Sequence, residues 1–114
     1  MEIKTGIDIL RKRRFLGSMK RGGKAFLERT FTPQELRQNT KEQLASIFCM
    51  KEAVMKALEL PGNSWLMIST SRKENGKVVS SLLTQAIAGR IASLDTSISH
   101  DGEWIIGIAV CILR

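Results

Sequence analysis

The chain has 114 residues, 43% of them hydrophobic and 25% charged, enough for one domain around one modest core and too few for two. The formal charge of +7 favours an anionic partner, whether a phosphorylated cofactor, an acidic protein, nucleic acid or an anionic membrane. With four phenylalanines, two tryptophans and no tyrosine, a base-stacking nucleic-acid surface is not expected.

No apolar stretch is long enough to span a bilayer. The start, Met1-Glu2-Ile3-Lys4, lacks the basic-then-apolar order of a signal peptide. Cys49 and Cys111 each sit in an apolar run, have no metal-ligand spacing, and read as reduced core cysteines. A cytoplasmic protein with no membrane partner is expected.

Glu2–Leu10 reads as a strand with Gly6 in its middle. The basic stretch Arg11–Lys24 carries Gly17, Gly22 and Gly23, and the expectation is one short helix and then a turn. Thr32-Pro33-Gln34-Glu35 is a helix start: Thr32 caps, Pro33 takes the first position and Glu35 closes a capping box, with a short polar helix running to Asn39. The segment from Lys41 to Leu60 is the strongest helix in the chain and stops at Pro61-Gly62. Leu44, Ile47, Phe48, Met55 and Leu58 form its apolar arc, with Glu52, Lys56 and Glu59 clustered beside it. Met50, Ala53 and Ala57 keep the far side weakly apolar, so the helix is buried on most sides. Trp65–Ser71 and Val78–Leu83 read as strands paired across the Asn75-Gly76 turn. Gln85–Ala92 suits a short helix, and Asp95–His100 and Trp104–Leu113 pair across Asp101-Gly102. The fold class is α+β: a single domain, residues 1–114, with a long central helix packed on an antiparallel sheet and a basic N-terminal arm.

Asp8 lies in the run Gly6-Ile7-Asp8-Ile9-Leu10, where strand alternation puts it on the face opposite Ile7 and Ile9. It is there either as a solvated edge aspartate or as a ligand. Glu52 sits on a helix too apolar for a carboxylate without a partner. It either pairs with Lys56 one turn on or needs a cation or several donors. Together Asp8 and Glu52 suit a hard, oxygen-seeking ion such as Mg²⁺, which takes one or two carboxylates plus waters and phosphate oxygens. Lys56 is spaced to neutralise the same phosphates. Lys51 falls within the apolar arc, from which it either snorkels to water or reaches a phosphate. His100, the sole histidine, closes a strand before a turn and is either a surface residue or a binding residue. There is no Walker loop, dinucleotide fingerprint, HExxH or GxSxG, which argues against nucleotide-fold and serine-hydrolase readings.

Taken together, these segments resemble the holo-[acyl-carrier-protein] synthase family of 4′-phosphopantetheinyl transferases. The resemblance rests on Gly6-Ile7-Asp8, Phe31-Thr32-Pro33-Gln34-Glu35-Leu36, Leu44-Ala45, Phe48-Cys49-Met50-Lys51-Glu52-Ala53, Lys56-Ala57-Leu58, Asn75-Gly76-Lys77 and Ser97-Ile98-Ser99-His100. It covers nearly the whole chain in the right order, and the pairing of Gly-x-Asp with Lys-Glu-Ala-x-x-Lys-Ala is its most specific part. The sequence departs from the family at Ile47, where arginine is frequent, at Arg11, where an acidic residue is frequent, and at Val78, where proline is frequent.

The resemblance implies a 4′-phosphopantetheinyl transferase-like fold and transfer of the phosphopantetheine arm of coenzyme A to a serine of an apo acyl carrier protein, with 3′,5′-ADP leaving. It implies a metal, Mg²⁺ with Mn²⁺ as the alternative, on Asp8 and Glu52, and catalysis by Glu52, Asp8 and Lys56. Coenzyme A contacts are implied for Lys56, Gly76, Lys77, Ser99 and His100, with Lys51 as a further candidate. The basic arm is implied to dock an acidic carrier helix through Arg14, Met19, Lys24, Phe26, Arg29 and Phe48. A homotrimer, with each active site between two subunits, is implied as well. The alternatives are a non-enzymatic RNA- or ribosome-binding module and a catalytically degenerate scaffold of the same fold.

Overall fold

The computed structural model describes all 114 residues. β1 (Glu2–Arg11) alternates as its sequence requires: Ile3, Ile7 and Ile9 face out, while Gly6, Asp8 and Leu10 face in. β1 pairs antiparallel with β5 (Trp104–Leu113), with Asp8 opposite Gly107 and Ile9 opposite Ile106. β4 (Ile91–Asp101) pairs with the other edge of β5, giving a three-stranded sheet in the order β1-β5-β4. β2 (Ile68–Arg72) and β3 (Val78–Leu82) form a separate antiparallel hairpin.

The central helix α3 (Lys41–Ala57) crosses the inner face of the three-stranded sheet. Its N-terminus is closed by a second capping box, Thr40 with Gln43. Ala45, Cys49, Ala53 and Ala57 recur every four residues and are fully or almost fully buried. This row of small side chains lets helix and sheet backbones approach closely. A Cβ added at Gly6 would lie 1.9 Å from the Ala53 carbonyl oxygen and 2.6 Å from the Ala57 nitrogen. At Gly107 it would lie 3.2 Å from the Cys49 carbonyl oxygen.

The basic arm differs from the sequence expectation. α1 (Lys12–Thr30) is two helical segments joined by a kink at Gly23: the expected break is there, but Gly17 and Gly22 stay helical and a second helical segment follows in place of the expected turn. Only Gly23 leaves helical geometry, at φ 58° and ψ −147°, and the helix resumes beyond it. The cause is tertiary: Phe15, Met19, Phe26 and Leu27 of α1 join a core with Leu44, Ile47 and Phe48 of α3. That burial outweighs a helical glycine penalty of about 1 kcal/mol each. α2 (Pro33–Gln38) starts on the expected Thr32–Glu35 capping box.

Other boundaries shift for local reasons. α3 ends at Ala57 rather than Leu60, because Glu59 takes a left-handed φ of 55°. Leu60 N–H then donates to the Met55 carbonyl and Glu59 N–H to the Lys56 carbonyl, a Schellman closure without its usual glycine. Trp65–Met67 form a 3₁₀ turn, so the expected strand begins only at Ile68. α4 is confined to Gln85–Ala88. β4 begins at Ile91, earlier than expected, with a register irregularity between Ile91 and Ser93.

The outer face of the three-stranded sheet carries a continuous apolar surface. Ile7 and Ile9 are each 61% exposed, Ile106 and Ile108 each 41%, and Ile3, Trp104 and Val110 extend the patch. Monomeric proteins rarely leave so much contiguous apolar surface in water.

The backbone obstruction at Gly6 gives a stability prediction. Gly6→Ala loses about 3 kcal/mol in urea unfolding, the upper part of the range for overpacking, because no flexible side chain can give way. Wild-type stability in this variant would disprove the close approach of β1 and α3.

Candidate active site

β1 and α3 bring the two acidic candidates together. Asp8 projects from the inner face of β1, its side chain 17% exposed. Lys56 donates from α3 to Asp8 Oδ1 at 3.1 Å and to the Ile7 carbonyl at 3.0 Å. The Glu52–Lys56 pair along the helix is therefore not formed. Glu52 Oε1 accepts instead from the indole Nε1 of Trp65 at 3.2 Å.

Burial raises the pKa of half-buried Glu52 above the usual carboxylate value. The Trp65 hydrogen bond opposes that shift, the Asp8 charge adds to it and Lys56 subtracts from it. Two carboxylates that feel each other across one cavity are a costly arrangement unless a cation joins them. The donor set fits a hard divalent ion that takes one or two carboxylates and completes its sphere with waters and phosphate oxygens. Cys49 lies beneath the pair, its Sγ donating to the Asp8 carbonyl at 3.5 Å. Burial and the adjacent Asp8 push its thiol up to about 12, so it stays protonated and is no nucleophile.

Asp8, Glu52 and Lys56 line a cavity of about 650 Å³, and Arg14, Phe26 and Phe48 line it with them. Three of the six expected docking residues thus border the acid pair directly. Arg29 stays exposed, its guanidinium 5.9 Å from the Phe26 ring centroid, and Lys24 is exposed beside Glu28. Met19 differs: it is 6% exposed and packs in the core, because the α1 helix turns it inward.

A second cavity of about 470 Å³ faces Ser46 and Met50 of α3, a different side of the helix. Gly76, Lys77 and His100 line it, joined by Lys12 and Arg72. Lys77 donates to Asp95 Oδ1 at 2.9 Å, which holds the Asp95 carboxyl below its usual range, and His100 Nε2 lies 3.4 Å from Ser46 Oγ. One chain therefore separates the expected coenzyme A residues into two groups.

Two further candidates lie outside both cavities. Lys51 neither snorkels nor reaches a phosphate: it has 0% exposure, and its ammonium donates to Glu35 Oε1 at 2.7 Å, the Thr30 carbonyl at 3.0 Å and the Trp65 carbonyl at 3.1 Å. All three donor hydrogens are used. Burial lowers its pKa, and Glu35 partly restores it. Ser99 stands opposite Ile106 in the β4–β5 register, on the outer face of the sheet, and lines neither cavity. Sequence reasoning missed Trp65, Lys12 and Arg72. Trp65 carried no signal, since its partner Glu52 is in a separate element, whereas Lys12 and Arg72 were visible only as general basic charge.

The fold is that of the 4′-phosphopantetheinyl transferase superfamily, whose family model matches residues 4–109. The holo-[acyl-carrier-protein] synthase of Dehalococcoides mccartyi is 40% identical over 113 residues, covering 93% of this chain and 95% of that protein. Its namesake from Finegoldia magna is 36% identical over 119 residues, covering 99% of this chain and 97% of that protein. The crystal structure of Helicobacter pylori holo-[acyl-carrier-protein] synthase in complex with coenzyme A superposes with a TM-score of 0.84 at 32% identity, covering 95% of this chain and 99% of that one. The chain belongs to the holo-[acyl-carrier-protein] synthase family of that superfamily.

The burial of Lys51 separates a structural role from a binding role. Lys51→Met leaves Glu35 buried without its cation and costs about 3–5 kcal/mol in urea unfolding, while calorimetric titration of the folded variant shows unchanged coenzyme A affinity. Lost coenzyme A affinity at intact stability would return Lys51 to the list of phosphate ligands.

Proposed function

We propose that this protein transfers the 4′-phosphopantetheine group of coenzyme A to a serine of an apo acyl carrier protein, giving holo carrier protein and 3′,5′-ADP. The observation that carries the reading is the convergence of Asp8, Glu52 and Lys56 on one cavity bordered by Arg14, Phe26 and Phe48. Two carboxylates and a lysine suit a diphosphate and its counter-ion. The basic and apolar border suits an acidic amphipathic helix. An RNA-binding module gains nothing from two carboxylates facing its ligand.

Asp8 and Glu52 are the residues that would hold the divalent cation, Mg²⁺ or Mn²⁺, and the cation would supply positive charge to the diphosphate oxygens as negative charge builds on them. Lys56 exchanges Asp8 for a phosphate oxygen. The carrier serine oxygen attacks the β-phosphorus, the bond from that phosphorus to the bridging oxygen breaks, and 3′,5′-ADP leaves with the electron pair. Glu52 accepts the serine proton. Lys12, Arg72, Lys77 and His100 in the second cavity suit the remaining phosphate of coenzyme A.

Coenzyme A reaching both cavities is best served by two copies of the chain. The bare sheet face of Ile3, Ile7, Ile9, Ile106, Ile108 and Val110 supports a homotrimer built through it. Two buried free cysteines suit a reducing, cytoplasmic setting, and no helix is long and apolar enough to cross a membrane.

Intact-protein mass spectrometry of an apo acyl carrier protein incubated with the protein, coenzyme A and Mg²⁺ is the direct test. A gain of one phosphopantetheine, abolished by EDTA and reduced at least about 100-fold in rate by Asp8→Asn or Glu52→Gln, is the expected result. No gain across carriers of several kinds, with coenzyme A still bound, would favour the degenerate scaffold. Ile108→Glu is expected to give a monomer by sedimentation equilibrium and to lose transfer. A wild-type monomer, or a variant that stays assembled, would reject assembly through the sheet face, and an active monomeric variant would reject the need for two copies at the site.

A further inference from the structure

Trp65 has no part in the chemistry proposed above, yet it meets the acid pair at one end and the buried ion pair at the other. Its indole Nε1 donates to Glu52 Oε1 at 3.2 Å. Its backbone carbonyl accepts from Lys51 Nζ at 3.1 Å, and Lys51 is itself held by Glu35 at 2.7 Å. Its ring stacks on Phe48 at 6.0 Å between centroids and 27° between planes. The indole is therefore fixed through its backbone, its face and its edge.

Glu52 has the opposite need. It is a long side chain with several rotatable bonds, and Lys56, its neighbour one turn on, is bonded to Asp8. The indole N–H is the hydrogen bond the structure gives to its carboxylate. Occupying Oε1 fixes the plane of the group and leaves Oε2 free for the cavity. Trp65 itself does not line that cavity, and its contact with the site is the bond to Glu52.

We propose that Trp65 is a positioning residue: its indole N–H holds the Glu52 carboxylate in the orientation that binds the cation and receives the serine proton. The inference rests on the function proposed above for Glu52. Partners that orient a metal-binding carboxylate commonly contribute about 10–100-fold in metal affinity or activity, and a hydrogen bond to a charged acceptor is among the stronger kinds.

Trp65→Phe tests it, since phenylalanine keeps a ring against Phe48 and removes the donor. The full-length variant is compared with wild type in transfer kinetics and in Mn²⁺ binding followed by electron paramagnetic resonance. The expected result is a kcat lower by about ten-fold or more and a clearly weaker Mn²⁺ affinity, with KM for coenzyme A and for the carrier unchanged. Wild-type kcat and Mn²⁺ affinity would overturn the role, and so would a raised KM at unchanged kcat, which marks a substrate contact. If Trp65→Phe fails to fold, benzothienylalanine at this position keeps the indole shape without the N–H and is read against the same outcomes. Wild-type protein that binds Mn²⁺ but transfers nothing would sink the proposed function. The Mn²⁺ comparison would still decide whether Trp65 orients Glu52.

Discussion

The site depends on how closely α3 approaches the sheet. Gly6 offers β1 no side chain at the point where Ala53 and Ala57 press against it, and Gly107 does the same for β5 beneath Cys49. That approach brings Lys56 Nζ within 3.0 Å of the Ile7 carbonyl and 3.1 Å of Asp8 Oδ1. Hydrogen bonds weaken steeply beyond about 3.5 Å, so a methyl group that lifted the helix would separate the lysine from its partners and the two carboxylates from each other. The glycine of the Gly-x-Asp pattern and the alanines of Lys-Glu-Ala-x-x-Lys-Ala are therefore one feature: the small residues meet, and the functional residues beside them are brought into register.

The opposite side of α3 is fixed by charge. Glu35 accepts from Thr32 N at 2.8 Å, Lys51 Nζ at 2.7 Å and Thr70 N at 2.9 Å, and also from the Thr70 hydroxyl. Lys51 adds the Thr30 and Trp65 carbonyls. Five separate segments, from the end of α1 to β2, thus meet at one ion pair. Desolvating two charges offsets most of their attraction, so such a pair contributes little net stability compared with a packed apolar substitute. Its contribution here is geometric. It determines where the chain leaves α3 and returns at Trp65, and so where the indole meets Glu52.

The sequence was most informative where the determinant is local. Alternation placed Asp8 on the inner face of β1, and Thr32 with Glu35 marked the start of α2. The two hairpins followed from Asn75-Gly76 and Asp101-Gly102. The same reading failed where distant elements decide. Three glycines look alike in sequence, yet only Gly23 breaks the helix, and the segments on either side of it are held by the burial of Phe15, Met19 and Phe26. Ser99 and His100 are adjacent in sequence but face opposite sides of β4, because the pleat separates neighbours. Glu35 was legible as a capping residue and illegible as the partner of Lys51, since one carboxylate serves both and only the first partner is nearby in sequence. Thr40 with Gln43 is a local signal of the same kind.

The two lysines of the helix motif show how environment assigns role. Lys51 and Lys56 lie five residues apart on α3, and each pairs with a carboxylate. Lys51 has 0% side-chain exposure and three fixed acceptors, so removing it from Glu35 would strand a charge in the interior. Lys56 is 55% exposed, and an ion pair so open to water is screened and weak. Weakness suits a residue that must change partners. In the proposed reaction a phosphate oxygen entering the cavity would compete with Asp8 for Lys56 at little cost, and releasing Asp8 would free a carboxylate for the counter-ion of the diphosphate. The buried lysine cannot make that exchange, because it has no path to solvent and no spare hydrogen. The same residue type, on the same helix, is structural in one position and exchangeable in the other, and the difference is solvent access.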